Sequence, residues 1–239
     1  MGEYVYKKLI VIEGVDGSGK STQAELLEEY LRQNGKKVIK IHCPDYDYYS
    51  GKSIRDMLDG KFSKDANSLN TYAISSMYSV DRYCIVNKSY RDYFLNPEYK
   101  GYYIIMDRYT QSNLIHQGSK LVEYDSNSNY HLLSYNSMLN LREYGNWLLD
   151  LEYVKMGLPR PDKILYLHLP YEESYKRVVE RGNTLDIHEN KDFMSKSYSS
   201  GIYYANTYFW DIVECMDGNR AKTVQEVRKD ILDRLNGVI

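Results

Sequence analysis

Eight consecutive residues, Gly14-Val15-Asp16-Gly17-Ser18-Gly19-Lys20-Ser21, gather three glycines, a lysine and a hydroxyl. Glycines let backbone N–H groups turn inward around phosphate oxygens. A helix opening just after them points its positive end at the same place. Lys20 can then reach the β- and γ-phosphates of a nucleoside triphosphate, and the Ser21 hydroxyl suits Mg2+. The stretch fits G-x-x-x-x-G-K-[ST] in full, a match that arises by chance about once in a hundred chains of this length. A glycine-rich turn with a surface lysine would not require a strand before it and a helix after it, and both are present.

A phosphate loop alone does not separate a kinase from a GTPase switch or a motor. Asn87-Lys88 is not followed by Asp two residues on, so the guanine-reading N-K-x-D pattern fails. Other residues carry more. Asp107 ends an apolar run, where a carboxylate can hold Mg2+ through water. Arg108 follows it, at the end of a strand where ligands of α/β sheets bind. Asp16 lies inside the phosphate loop, close enough to touch a second substrate.

The elements that must position these groups are legible in the periodicity. Residues 8–13 are a short apolar run suited to a buried parallel strand. Ala24, Leu27 and Leu31 then share a helical face until Gly35. Residues 38–42 form a second strand ended by Pro44, and 45–51 read as a loop. Helical patterns follow over 67–87 and on toward Phe94, then a strand over 102–106. Residues 119–136 read as a polar surface insertion. A helix over 141–156, a strand over 163–169, a helix over 170–181 and a polar, Gly-containing segment from 182 come next. A last strand lies near 211–215, and Thr223 to Glu226 opens the final helix as a capping box. Alternating strands and helices predict a three-layer α/β fold: a five-stranded parallel sheet with helices on both faces. Residues 1–239 read as one domain.

Composition narrows the partners. The 239 residues carry a formal net charge of −2, which gives no reason to expect nucleic acid or membrane. The three cysteines, Cys43, Cys84 and Cys215, show no disulfide or zinc spacing. With no long apolar stretch at the N-terminus, a cytoplasmic protein is expected. The 27 tyrosines read as packing.

The sequence resembles the thymidylate kinases. "EGVDGSGKSTQ" is close to the family's phosphate loop, and "YSVDRY" is similar to its aromatic-x-x-[Asn/Asp]-Arg segment. "DRYTQSNLIHQG" resembles its Asp-Arg-[Tyr/His]-x-x-Ser motif, "GLPRPDKILYLHLP" its Leu-Pro-x-Pro-Asp approach to a strand, and "LDIHEN" the end of its lid. The resemblance covers all but about residues 123–136. It implies a P-loop nucleoside monophosphate kinase that phosphorylates dTMP to dTDP with ATP and Mg2+, with a mobile lid over about 182–200.

Roles follow by the same resemblance. Gly14, Gly17, Ser18, Gly19, Lys20, Ser21 and Thr22 match the ATP-phosphate loop, and Arg177 an arginine against adenine. Tyr78 matches the aromatic that stacks on thymine. Arg82, one helical turn on, matches the arginine that hydrogen-bonds the base. Arg108 matches the arginine on the acceptor phosphate, with Asp16 beside it and the sugar. His116 and Gln117 fall near the sugar, and Tyr46 with the dTMP contacts. Ser21 and Asp107 would serve Mg2+. A homodimer is implied, with 67–94 and 141–156 as candidate surfaces.

Two departures stand out. The family often has an arginine in the phosphate loop, and here none is present. After the second strand it usually has Phe-Pro-x-Arg or Arg-Glu-Pro-Gly, and here Cys43-Pro44-Asp45-Tyr46 stands. Arg181, just before Gly182, is therefore the expected transition-state cation. Another deoxynucleotide or deoxynucleoside kinase of this fold, or a nucleotide-dependent switch without transfer, shares the phosphate loop.

Overall fold

The computed structural model describes residues 8–124, 132–182 and 187–239. Among them, five parallel strands form one sheet in the order β2-β3-β1-β4-β5. The strands are β1 (Lys8–Glu13), β2 (Val38–His42), β3 (Tyr103–Asp107), β4 (Lys163–His168) and β5 (Asp211–Glu214). A two-residue hairpin, β6 (Met216–Asp217) with β7 (Arg220–Ala221), follows antiparallel.

The alternation along β1 explains the layers. Ile10 and Ile12 point to one face, where they meet Ala24, Leu27 and Leu31 of α1 (Lys20–Gln33) and Ile231 of the last helix. Leu9 and Val11 point to the other, among Ile104, Met106, Ile85 and Tyr153. Both faces are apolar because both are covered, as parallel crossovers require.

The remaining helices are α2 (Tyr49–Leu58), α3 (Thr71–Cys84), α4 (Arg91–Leu95), α5 (Thr110–His116), α6 (Tyr135–Leu149), α7 (Tyr171–Glu180), α8 (Lys191–Thr207) and α9 (Val224–Arg234). Wide π-type turns extend α3 through Ile85–Ser89 and α6 through Asp150–Lys155. The capping box at Thr223 and Glu226 forms as expected, each side chain bonding the other's backbone N–H.

Two expectations change. Residues 45–51 are not all loop: α2 starts at Tyr49, because Ile54, Met57 and Leu58 supply a buried helical face that outweighs the turn-like residues before it. The polar segment from 182 becomes helical at Lys191, where Asn190 caps the Phe193 N–H and Phe193, Met194 and Ser197 are buried. Helix α8 packs against α5 and α7, so that half of the expected lid belongs to the body of the domain. Within the expected insertion, Tyr124 pairs with Leu133 as an isolated bridge and α6 starts at Tyr135. Residues 125–131 of the insertion and 183–186 of the lid lie outside the described residues.

Candidate active site

The phosphate loop links β1 to α1. Gly17 and Gly19 hold φ of 84° and 94°, left-handed values that favour glycine. Gly17 has a second constraint: a Cβ there would sit 2.5 Å from the Ser174 carbonyl oxygen of α7. The loop is therefore pressed against α7, and no side chain, arginine included, fits at that position. Lys20 is buried, donates to the Val15 carbonyl at 2.9 Å and lies 3.5 Å from Asp16. Burial, helped by Arg108, pulls its pKa down to about 8, against the pull of Asp16, Glu13 and Asp107.

Strand pairing brings the second motif here. In the β1–β3 register Ile12 lies beside Asp107, so the loop after β1 and the turn after β3 emerge together. Asp107 faces His42 of β2, whose Nδ1 is 3.0 Å from Oδ2. Burial would raise the Asp107 carboxyl, but His42 and the Ser21 hydroxyl lower it. Its other oxygen, Oδ1, is buried and has no hydrogen-bond partner among the described residues.

Arg108 has φ of 70°, in the left-handed region that a side chain rarely occupies. Glu13 fixes this turn by accepting from the Tyr109 N–H at 2.8 Å and the Ser112 hydroxyl at 2.7 Å. The outcome is a guanidinium whose Nη2 donates to Asp16 Oδ1 at 2.5 Å. Burial opposes ionisation of Asp16, yet Arg108 and then Lys20 hold it well below the usual carboxylate range. Arg108 Nη1 lies 3.3 Å from His116 Nε2. A guanidinium only donates, so His116 accepts as a neutral ring. Burial keeps it so, lowering its pKa to about 3.

Beside this pair opens a pocket lined by Tyr46, Leu58, Tyr78, Arg82, Arg108 and Gln117, among others. Tyr78 and Arg82 share a face of α3 because they are four residues apart. Arg82 does not pair with the neighbouring Asp81; it is held by Glu152, with Nη2 to Oε1 at 2.5 Å and Nε to Oε2 at 3.0 Å. Gln117 is fully buried, and among the described residues neither polar atom of its amide has a partner. Such an amide is costly unless something in the pocket bonds it. The Arg55 guanidinium of α2 lies 4.0 Å above the ring of Tyr46, which lines the pocket.

On the other side of Asp16 and Arg108 a cleft of about 300 Å³ is lined by Gly17, Gly19, Lys20, Ser21, Thr22 and Arg181. Gly14 and Ser18 are buried beneath it. Arg181, at the end of α7, thus faces the phosphate loop. Arg177 does not; it is bonded to Glu173 at 3.3 Å. Sequence reasoning gave no site role to Asn113 and His188, which line the pocket beside Tyr78 and Arg82, or to the supporting acids Glu13 and Glu152. Glu152 left one usable mark: with Asp150 it is one of two acids in the otherwise apolar stretch "LLDLEYV".

Comparison with known proteins agrees with this geometry. Residues 12–205 match the family model described as thymidylate kinase. The chain is 30% identical over 190 residues to a thymidylate kinase of Brachyspira hyodysenteriae, covering 79% of this chain and 76% of that one. It is 26% identical over 231 residues to a thymidylate kinase of Plasmodium falciparum, covering 97% and 90%. A solved thymidylate kinase from Candida albicans superposes with a TM-score of 0.68 at 27% identity, covering 96% of this chain and 91% of the other. With the family model spanning residues 12–205, the chain belongs to the thymidylate kinase family.

Proposed function

We propose that this cleft transfers the γ-phosphoryl group of ATP to dTMP, giving dTDP and ADP, with the following division of labour. The observation that carries it is the Arg108–Asp16 pair, which sits on the boundary of the two pockets. An acceptor phosphate gripped there lies next to the donor phosphates over Lys20.

The loop amides, Lys20, Ser21 and Thr22 hold the ATP phosphates. Arg177, on the resemblance, lies against adenine once it leaves Glu173. In the second pocket Tyr78 stacks on thymine and Arg82 donates to its edge. Gln117 finds its missing partners on the nucleotide, and Tyr46 and His116 close around it. Arg108 holds the dTMP phosphate. One of its oxygens attacks the γ-phosphorus; a new O–P bond forms as the bond to the β-phosphate bridging oxygen breaks. That oxygen is already ionised, so no general base is needed, in keeping with a neutral His116. Catalysis is positioning plus charge stabilisation, and Arg181 adds a cation from the rim.

The residues fit Mg2+. Asp107 Oδ1 is buried and unpartnered among the described residues, and the Ser21 hydroxyl is beside the same carboxylate. Among the described residues no cluster of three His, Cys, Asp or Glu forms a cage, which suits an ion held mainly by phosphates and water. Bound there, Mg2+ would neutralise the β- and γ-phosphate oxygens.

Transfer is favoured over a binding-only switch because Arg82 and Arg108 are both built into an acceptor pocket. A cytoplasmic homodimer completes the reading. Among the described residues no helix is long and apolar enough to cross a membrane. Pairing along α3 would cover Val80 and Tyr83, which are exposed; sedimentation velocity tests it. The activity is tested with purified protein, ATP, Mg2+ and a panel of nucleoside monophosphates and deoxynucleosides. ADP release should be fastest with dTMP. Release without an acceptor preference, or only with a deoxynucleoside, would overturn the reading.

A further inference from the structure

Glu152 lies in the π-type turn Asp150–Lys155, far in sequence from every motif of the site, and is 0% exposed. A π-type turn takes in an extra residue and so shifts the helix face; here Glu152 and Tyr153 are both buried against the sheet side of the domain. The carboxylate makes four bonds. Its Oε1 accepts from Arg82 Nη2 at 2.5 Å and from Ser79 Oγ at 2.6 Å. Its Oε2 accepts from Arg82 Nε at 3.0 Å and from Thr110 Oγ1 at 2.6 Å. Those four donors use its accepting capacity, and they come from α3, which carries Tyr78, and from α5, which follows Arg108.

Arg82 is 2% exposed but lines the pocket. With Nε and Nη2 engaged by Glu152, Nη1 is the nitrogen left for a ligand. A free arginine could swing, or approach a base from several directions. A guanidinium gripped along one edge cannot, because two parallel bonds fix its plane.

We propose that Glu152 is a positioning residue for acceptor choice: by clamping one edge of Arg82 it presents the remaining N–H donors of the guanidinium to the base in one fixed plane. This rests on the reading of Arg82 as the base contact. N–H groups fixed in this way donate to a keto oxygen, such as the 4-oxygen of thymine. They reject an amino group at the same place, as in cytosine, because two donors then face each other in a dry pocket. Glu152 also balances the arginine's charge, so the pocket offers a directed hydrogen bond and not a bare cation open to any electron-rich edge.

The test is steady-state kinetics with dTMP and with dCMP. Wild-type protein should prefer dTMP; protein that treats the two alike removes the Arg82 reading, and this proposal with it, before any variant is made. Glu152→Gln keeps the shape but replaces one accepting oxygen with a donor. It should raise KM for dTMP at least tenfold, leave KM for ATP within twofold, and lower the dTMP to dCMP ratio of kcat/KM at least tenfold. A purely structural role would reduce the active fraction and melting temperature while leaving that ratio unchanged, and this result would sink the proposal. Glu152→Gln strands a buried charge and can unfold the protein. The double variant Arg82→Met with Glu152→Leu removes both charges. It should show the same ratio as Arg82→Met alone, because Glu152 acts through the arginine. A further loss in the double variant would also overturn the proposal.

Discussion

Arg108 and Asp16, 92 residues apart, are joined by a 2.5 Å hydrogen bond at the boundary between the phosphate loop and the base-side pocket. The aspartate fixes one terminal nitrogen, Nη2, while His116 lies against the other, Nη1. The guanidinium is thereby oriented before any nucleotide arrives. Arg108→Ala should lower kcat by about 10²–10³, the usual loss on removing one charge-stabilising donor, and should raise KM for dTMP. Arg108→Lys should recover little, because an ammonium cannot present two donors in the same plane. Near-normal turnover in both variants would move the acceptor phosphate elsewhere.

Lys20 should behave differently. Its charge acts on phosphate oxygens, so Lys20→Ala should abolish transfer while leaving the far-ultraviolet spectrum unchanged. The lysine is cationic below a pKa of about 8 and loses its proton above it. ATP affinity of the wild-type protein should therefore fall as pH rises past about 8. The dependence should be absent in Lys20→Ala, as titration calorimetry from pH 7 to 9 would reveal.

Arg181 borders the phosphate cleft from the end of α7. Arg181→Ala should lower kcat strongly with little change in the dissociation constant for dTMP, the pattern of a contact made mainly in the transition state. Arg181→Lys should fall between. If Arg181 only stabilises the end of α7, worth under about 1 kcal/mol, kcat will be unchanged in both.

Moving that cation to position 17 of the loop should fail. At Gly17 a side chain meets both a φ of 84° and the Ser174 carbonyl. Gly17→Ala should destabilise the protein by about 1–3 kcal/mol from strain alone, with more from the collision. Gly17→Arg should be inactive even though it adds a positive charge. Urea unfolding and turnover measured on both variants check this.

His116 and His188 stack in parallel planes, and His188 in turn stacks on Phe193. Burial lowers both histidines from 6.5 to about 3, with Lys120, Arg108 and each other's proximity adding to it for His188 and Asp16 opposing. Between pH 6.5 and 3 the unfolded chain binds protons that the folded one refuses. Stability should therefore rise with pH across that window and be lost as pH falls. His188→Phe removes one such site and should flatten the slope by up to about 1.4 kcal/mol per pH unit. Urea unfolding at pH 4, 5, 6 and 7 would measure it; an unchanged slope would mean that His188 takes up its proton while folded.

The phosphate loop, the strands and the shared face of Tyr78 and Arg82 were all legible in the sequence. Each depends on neighbours within a few residues, through glycine freedom, period-two alternation or an i,i+4 spacing. Helix α2 was hidden because its polar approach, "DYDYYSG", resembles a turn, and only burial of Ile54, Met57 and Leu58 decides for the helix. The start of α8 was hidden for a like reason: its serine- and tyrosine-rich face gains its partners from α5 and α7.

The sequence by itself determined that a phosphate-loop pattern stands between β1 and α1, and that Asp107 ends a strand with Arg108 just after it. Tertiary structure decided what those groups do together. The β1–β3 register sets Arg108 against Asp16, and Glu13 fixes the left-handed turn that aims it. Glu152, 70 residues after Arg82, clamps that arginine from the end of α6. The approach of α7 to Gly17 excludes a side chain at that one position, and the end of α7 brings Arg181 to the cleft. Each of these is a contact between distant segments, and residue type and spacing along one chain cannot specify which buried acid meets which buried base until the layers have packed.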